Sequence, residues 1–236
     1  MTAVDPSAAS PAQPPPTTCP VGVLWCPFPN ALTDLQQEID HLIQQVRTDA
    51  LTGVANYRSF IETLELEIER SSRNGRPTSL LMVDLDHFKK VNDIYGHEVG
   101  NQALVHVARV ISGQIRKLDV VCRYGGEEFA VVLPETELHA AIPVAERIRL
   151  ALAESPLQQE GLQLKLTASL GLATYRPYSL SSAAELISQA DHYLYQAKQG
   201  GRNRLCHTDV SPPESISNEE KQSLLKLFGR DANAKD

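Results

Sequence analysis

At 236 residues, with 42% apolar and 22% charged side chains, the chain can bury one good-sized core and carry a small appendage. Its net charge of −7 argues against binding nucleic acid or an anionic membrane through bulk electrostatics, and no run approaches the roughly 18 to 20 apolar residues of a spanning helix. Four cysteines, Cys19, Cys26, Cys122 and Cys206, are too few and too irregularly placed for a disulfide framework.

Residues 1–30, rich in Pro, Ala, Ser and Thr, read as a disordered or extended lead-in. They lack the basic and apolar regions of a signal peptide, so a cytoplasmic location is expected. Over residues 31–48, Leu32, Leu35, Ile39, Leu42 and Val46 recur at spacings of three and four, the a/d seam of a short coiled coil. The same spacing suits an amphipathic helix packed on its own domain. A stalk that pairs with another chain is preferred, because Thr48-Asp49 follow it directly and begin a separate domain over residues 49–206.

Within that domain, Tyr57, Phe60, Ile61, Leu64 and Ile68 predict a helix that ends in a polar break at Ser71 to Pro77. A strand, Ser79 to Asp84, follows. The segment Asn92 to Gly100 contains two glycines, after which Asn101 opens a helix with Leu104, Val107, Ile111 and Ile115 on one face. Val120 to Cys122 and Phe129 to Leu133 are β-prone runs joined through Gly125-Gly126 as a hairpin, with Cys122 a small buried hydrophobe. Glu135 to Glu154 predicts a helix kinked at Pro143, Leu162 to Tyr175 a strand and Ala183 to Gln199 a closing helix. Residues 207–236 form a tail with a short amphipathic segment, Ile216 to Phe228. Strands and helices mixed around a central hairpin define an α+β fold: a mixed, largely antiparallel sheet flanked by helices.

The chemistry concentrates at two strand ends. One strand runs into Asp84, and the hairpin carries Glu127 and Glu128. Taken alone, acids beside a turn are commonly solvated. Together, carboxylates at neighbouring strand ends are hard oxygen ligands of the kind Mg²⁺ takes in phosphoryl-transfer sites. Strand alternation predicts that Glu127 and Glu128 face opposite ways, so that one shares a site with Asp84.

The run Arg123-Tyr124-Gly125-Gly126-Glu127-Glu128-Phe129, with Asp49 to Gly53, Asn56, Asp84 to Asp93, Gly96-His97, Gly100, and Ala190-Asp191 through Lys198 to Arg204, resembles the GGDEF-domain diguanylate cyclases over about 155 residues. The resemblance implies a fold like the palm of nucleotide cyclases and polymerases. It also implies condensation of two GTP into cyclic di-GMP and two pyrophosphates across a dimer of half-sites.

By the same resemblance, Asp84, the Leu85 carbonyl and Glu127 hold Mg²⁺, two ions per site, with Mn²⁺ as an alternative. Glu127 takes the attacking proton and Glu128 supports it. The Phe88 and Lys89 amides and the Lys89 side chain meet phosphates, as do Lys198 and Arg202. Gly126, Asn92 and His97 contact the nucleotide. Arg116 and Asp119 form an Arg-x-x-Asp site at which product inhibits.

One position departs from the family: Asn101 stands where aspartate is usual. It either caps the following helix or meets guanine with one acceptor and one donor, loosening the choice of GTP over ATP. A domain that binds cyclic di-GMP or GTP without turnover is the alternative reading, but such domains usually lose the carboxylates present here. A coiled-coil adaptor would leave those residues unexplained. No sensor domain is evident, so the stalk at 31–47 is expected to dock a separate regulatory protein.

Overall fold

The structure, a computed structural model, describes residues 34–39, 47–159, 161–177 and 182–208. The lead-in, most of the stalk, Cys19, Cys26 and the apolar segment of the tail lie outside the described residues. The chain divides into two units, Met1–Val46 and Arg47–Asp236. In the first, residues 34–39 are helical, with Leu35 and Ile39 exposed.

In the second unit the elements are α1 (Tyr57–Asn74), β1 (Thr78–Leu85), α2 (Phe88–Gly113), β2 (Val120–Arg123), β3 (Glu128–Leu133), α3 (Leu138–Glu154), β4 (Leu157–Gln159), β5 (Leu162–Leu164), β6 (Ala168–Tyr175), α4 (Ala183–Gln199) and β7 (Leu205–His207). Five strands form one sheet in the order β2-β3-β1-β6-β7, antiparallel except for the β6–β7 pair. This is the expected α+β architecture.

Every residue of the central strand β1 is buried, and its alternation sorts the helices. Leu80 and Met82 pack with Phe60 and Leu64 of α1 and with Leu186, Ala190 and Leu194 of α4. Leu81, Val83 and Leu85 pack with Val107 and Ile111 of α2 and with Ala145 and Ile148 of α3. The periodicity of two therefore puts Asp84 on the α1/α4 face. There α4 lies so close to β6 that a Cβ on Gly171 would meet the Ala190 carbonyl at 2.1 Å. Cys122 is buried and free, and burial pushes its thiol up to about 12.

Several local expectations are corrected. Residues 71–74 do not break α1. Ser71 is buried and its hydroxyl bonds that of Thr78 at 2.7 Å, so the helix continues until Gly75 ends it at φ 76°. The helix does not open at Asn101: α2 starts at Phe88, and Gly96 (φ 83°, ψ 165°) concentrates the break in one residue. Asn101 accordingly sits inside α2 and is not its N-cap.

The run Leu162 to Tyr175 is two strands. Leu162, Leu164, Leu166 and Ala168 alternate without interruption, which hides the change of partner. β5 pairs with β4 around Gly161, while β6 enters the main sheet. Finally α3 begins at Leu138, because Glu135 takes a left-handed turn (φ 49°), and the helix then runs through Pro143 as one element.

Candidate active site

The antiparallel registers fix the site. Asp84 lies opposite Glu128 of β3 and opposite Ser169 of β6. Residues directly opposite in an antiparallel pair share a face, so Asp84 and Glu128 point to the same side. Glu127 falls in the turn rather than in the strand, and its carbonyl accepts from the Leu85 N–H at 3.3 Å. It lies outside the pleat, and both glutamates feel the charges of Asp84 and Lys198. The expectation that both glutamates stand on the strand is corrected: β3 begins at Glu128, and strand alternation does not apply to Glu127.

The turn itself is tied down from three sides. Tyr124 N–H and Gly125 N–H both donate to the Glu128 carbonyl, at 2.8 and 3.2 Å. The Arg123 guanidinium donates to the Gly125 and Gly126 carbonyls and reaches both oxygens of Asp49 at 3.2 Å. Asp49 in turn accepts from the Thr52 hydroxyl at 2.6 Å and its amide at 2.9 Å. A Cβ on Gly125 would lie 2.8 Å from Glu128 Oε2, so glycine leaves room for that carboxylate.

Charge at the site is unbalanced. Burial raises the Asp84 carboxyl above its usual value and Asp86 adds to this, against the opposing Lys198 and Arg202. Burial, then Asp84, raises Glu127 and Glu128 as well. Lys198 Nζ meets Asp84 Oδ2 at 2.8 Å. Among the described residues no three His, Cys, Asp or Glu side chains are arranged to hold a metal by themselves. Carboxylates crowded around one lysine nevertheless fit a hard cation such as Mg²⁺, which takes one or two carboxylates and completes its shell with water and phosphate oxygens.

The remaining predicted residues are placed as follows. Phe88, with its ring buried, and Lys89 are the first residues of α2. The cap residue His87 is left-handed (φ 58°) and its side chain makes no capping bond, so it leaves the first N–H groups of the helix without that partner. Asn92 folds over Gly100: a Cβ there would sit 1.9 Å from Asn92 Oδ1. His97 is exposed just after the break at Gly96. Asn101 lines an open groove of about 460 Å³ with Leu51, Glu98, Gln102 and His106. Arg202 is exposed in a left-handed conformation (φ 61°) beyond α4.

Arg116 and Asp119 are separate from this cluster, at the other end of β2. Asp119 Oδ2 accepts the Arg116 backbone N–H at 2.8 Å, so the pair is a capped turn and not an ion pair of side chains. Sequence reasoning gave no role to two residues that organise the site. Arg123 clamps the signature turn, and Asp86 accepts from Thr167, Ser169 and Asn203. For Asp86 the sequence does carry a signal: a second acid two positions past Asp84, at the end of a strand buried along its whole length.

A mixed sheet flanked by helices, with carboxylates at adjoining strand ends, defines an α+β class of fold with an acidic site. Residues 46–204 match the family described as "Diguanylate cyclase, GGDEF domain", and the chain belongs to that family. It is 39% identical over 171 residues to "Response regulator PleD" of Caulobacter vibrioides, covering 72% of this chain and 37% of that protein. It is likewise 39% identical over 178 residues to "Diguanylate cyclase A" of Treponema denticola, covering 74% and 47%. The chain thus matches less than half the length of these relatives.

Among solved structures, it is similar to the Pseudomonas aeruginosa diguanylate cyclase SiaD in complex with its activator SiaC (TM-score 0.68, 35% identity, 75% of this chain and 68% of that one). It is also similar to the coiled coil and GGDEF domain of DgcB from Caulobacter crescentus in complex with c-di-GMP (TM-score 0.70, 29% identity, 75% and 93%).

Proposed function

We propose that this chain is a diguanylate cyclase that joins two GTP molecules into cyclic di-GMP. The observation that carries this reading is the convergence of Asp84, Glu127, Glu128 and Lys198 at the end of β1 and the β2–β3 turn. In each half of the reaction the 3′-hydroxyl of one GTP attacks the α-phosphorus of the other. A P–O bond forms, the bond to the leaving pyrophosphate breaks, and the hydroxyl proton passes to Glu127.

Asp84, the Leu85 carbonyl and Glu127 would hold Mg²⁺, which supplies charge neutralisation of the triphosphate and acidifies the attacking hydroxyl. The protein's own part is positioning. The uncapped N–H groups at Phe88 and Lys89, with Lys89, Lys198 and Arg202, receive phosphate oxygens. Asn92 and Asn101 face the base, with Gly126 and His97 beside the nucleotide, and Glu128 supports Glu127. Each protomer supplies half of the reacting pair, so the working form is a homodimer.

The exposed Arg116 of the turn capped by Asp119 supports an inhibitory site for product. Exposed Leu35 and Ile39 suit a stalk that pairs with another chain and docks a separate regulatory protein. Incubating the purified protein with GTP and Mg²⁺ and resolving the products by chromatography tests the reading: cyclic di-GMP is expected, and GTP bound but unconverted would make the domain a receptor.

A further inference from the structure

Asp86 is buried, and both of its carboxylate oxygens are hydrogen-bonded. Its Oδ1 accepts from Ser169 Oγ at 2.6 Å, and its Oδ2 accepts from Thr167 Oγ1 at 2.7 Å and from the backbone N–H of Asn203 at 3.0 Å. Its own N–H donates to the Thr167 carbonyl at 2.9 Å. Ser169 is at the start of β6 and Thr167 immediately precedes it. The Asn203 amide belongs to the loop that follows α4.

That loop is unusual. Gly201, Arg202 and Asn203 are all at positive φ (113°, 61° and 43°), and two of them are not glycine. Consecutive left-handed residues persist only where their surroundings hold them. Two anchors are visible: Arg149 donates to the Asn203 side-chain oxygen at 3.1 Å from one side, and Asp86 takes the Asn203 amide from the other. The Arg202 N–H returns to the Ala197 carbonyl at 3.1 Å, which fixes the loop against the last turn of α4, beside Lys198.

We propose that Asp86 is a positioning residue. Its carboxylate locks the left-handed loop and so aims Lys198 and Arg202 at the polyphosphate of the nucleotide. A carboxyl group is suited to this task because its two oxygens accept from the three donors that converge on it. Asn in its place would turn an NH₂ toward one of those donors.

The inference rests on the cyclase reading, and its test separates the two. Calorimetric titration with GTP and with GMP, each with Mg²⁺, isolates what the β- and γ-phosphates contribute. Asp86→Asn is expected to lower the ratio of GTP to GMP affinity about 10- to 100-fold, the range that outer partners of binding groups command, with GMP affinity unchanged. Thr167→Val removes a bond to the same carboxylate oxygen without touching the loop, and is expected to lower stability and leave the ratio intact.

An unchanged ratio in folded Asp86→Asn, or an equal fall in Thr167→Val, overturns the proposal. If Asp86→Asn does not fold, amide exchange in the native protein decides. The Asn203 amide should exchange as slowly as the amides of β6, and fast exchange overturns the proposal. A native protein that binds GTP yet forms no cyclic di-GMP would defeat the cyclase reading and leave the role of Asp86 standing.

Discussion

Lys198 Nζ lies 2.8 Å from Asp84 Oδ2, so the amine that the site would offer to a phosphate rests on the carboxylate that it would offer to a cation. Asp84 is nearly buried while Lys198 remains one-third exposed. A cation that takes Asp84 Oδ2 would displace the amine and free it for the nucleotide. Lys198→Met should therefore cost about 1–2 kcal/mol of stability, because a buried carboxylate loses its partner. It should also strengthen Mg²⁺ binding. Melting temperatures measured across a Mg²⁺ titration check this. Each tenfold gain in affinity adds about 1.4 kcal/mol of stabilisation at saturation, and identical Mg²⁺ responses in the two proteins would show that amine and cation do not compete.

Arg123 and Asp49 join the turn that opens the domain to the signature turn. The guanidinium holds the Gly125 and Gly126 carbonyls and the Asp49 carboxylate at once, and a lysine ammonium cannot reproduce that fork. Arg123→Lys is expected to cost about 1–3 kcal/mol in urea denaturation, as for buried polar partners left unpaired. It should also reduce kcat more than it raises KM, because the turn carries Glu127. Burial alone would raise the Asp49 carboxyl, but the Thr52 hydroxyl and amide and then Arg123 hold it below the usual range. Its contribution is thus present above the ordinary carboxylate value near 4 and is lost as pH falls through the lower folded value. A difference between native and variant stability that fails to narrow in that acid range would count against the clamp.

Gly100 should separate stability from recognition. A methyl group there would push on the end of the Asn92 side chain, which can swing away at little cost, while alanine within a helix gains up to about 1 kcal/mol over glycine. Gly100→Ala is therefore expected to melt higher and to bind GTP more weakly, with KM raised and kcat little changed. A variant that melts higher and keeps the native KM would remove Asn92 from base recognition.

The sheet, the hairpin and the carboxylate strand ends were legible because each has a local cause: apolar runs, a Gly-Gly turn, and acids where a strand stops. What was not legible depends on partners distant in sequence. Ser71 stays helical through Thr78, the run from Leu162 changes partner without a change of pattern, and Asn101 lies inside a helix because Gly96 takes up the whole break. For Asp86 the sequence marks the acid but not its partners. Its donors are 81, 83 and 117 residues away, and no spacing rule reaches them.

The crowding of acids leads to the last prediction. Burial first, then Asp84, raises the Glu128 carboxyl. A raised acid holds its proton more readily in the folded chain than in the unfolded one, so ionisation costs stability. The loss sets in as pH rises from the unfolded value, about 4.3, through the folded value, and it persists above. Glu128→Gln removes this titration without shortening the side chain. The variant should melt above the native protein at pH 7, and the gap should close as pH falls below 4, where the native glutamate is already protonated. Cyclic di-GMP formation should fall in the same variant, an exchange of stability for function that a crowded cation site imposes. Thermal melts of both proteins at pH 7, 5 and 3.5 provide the check: a gap that is independent of pH, or a variant that melts below the native protein at pH 7, would mean that Glu128 is a structural contact and does not share the charge of Asp84.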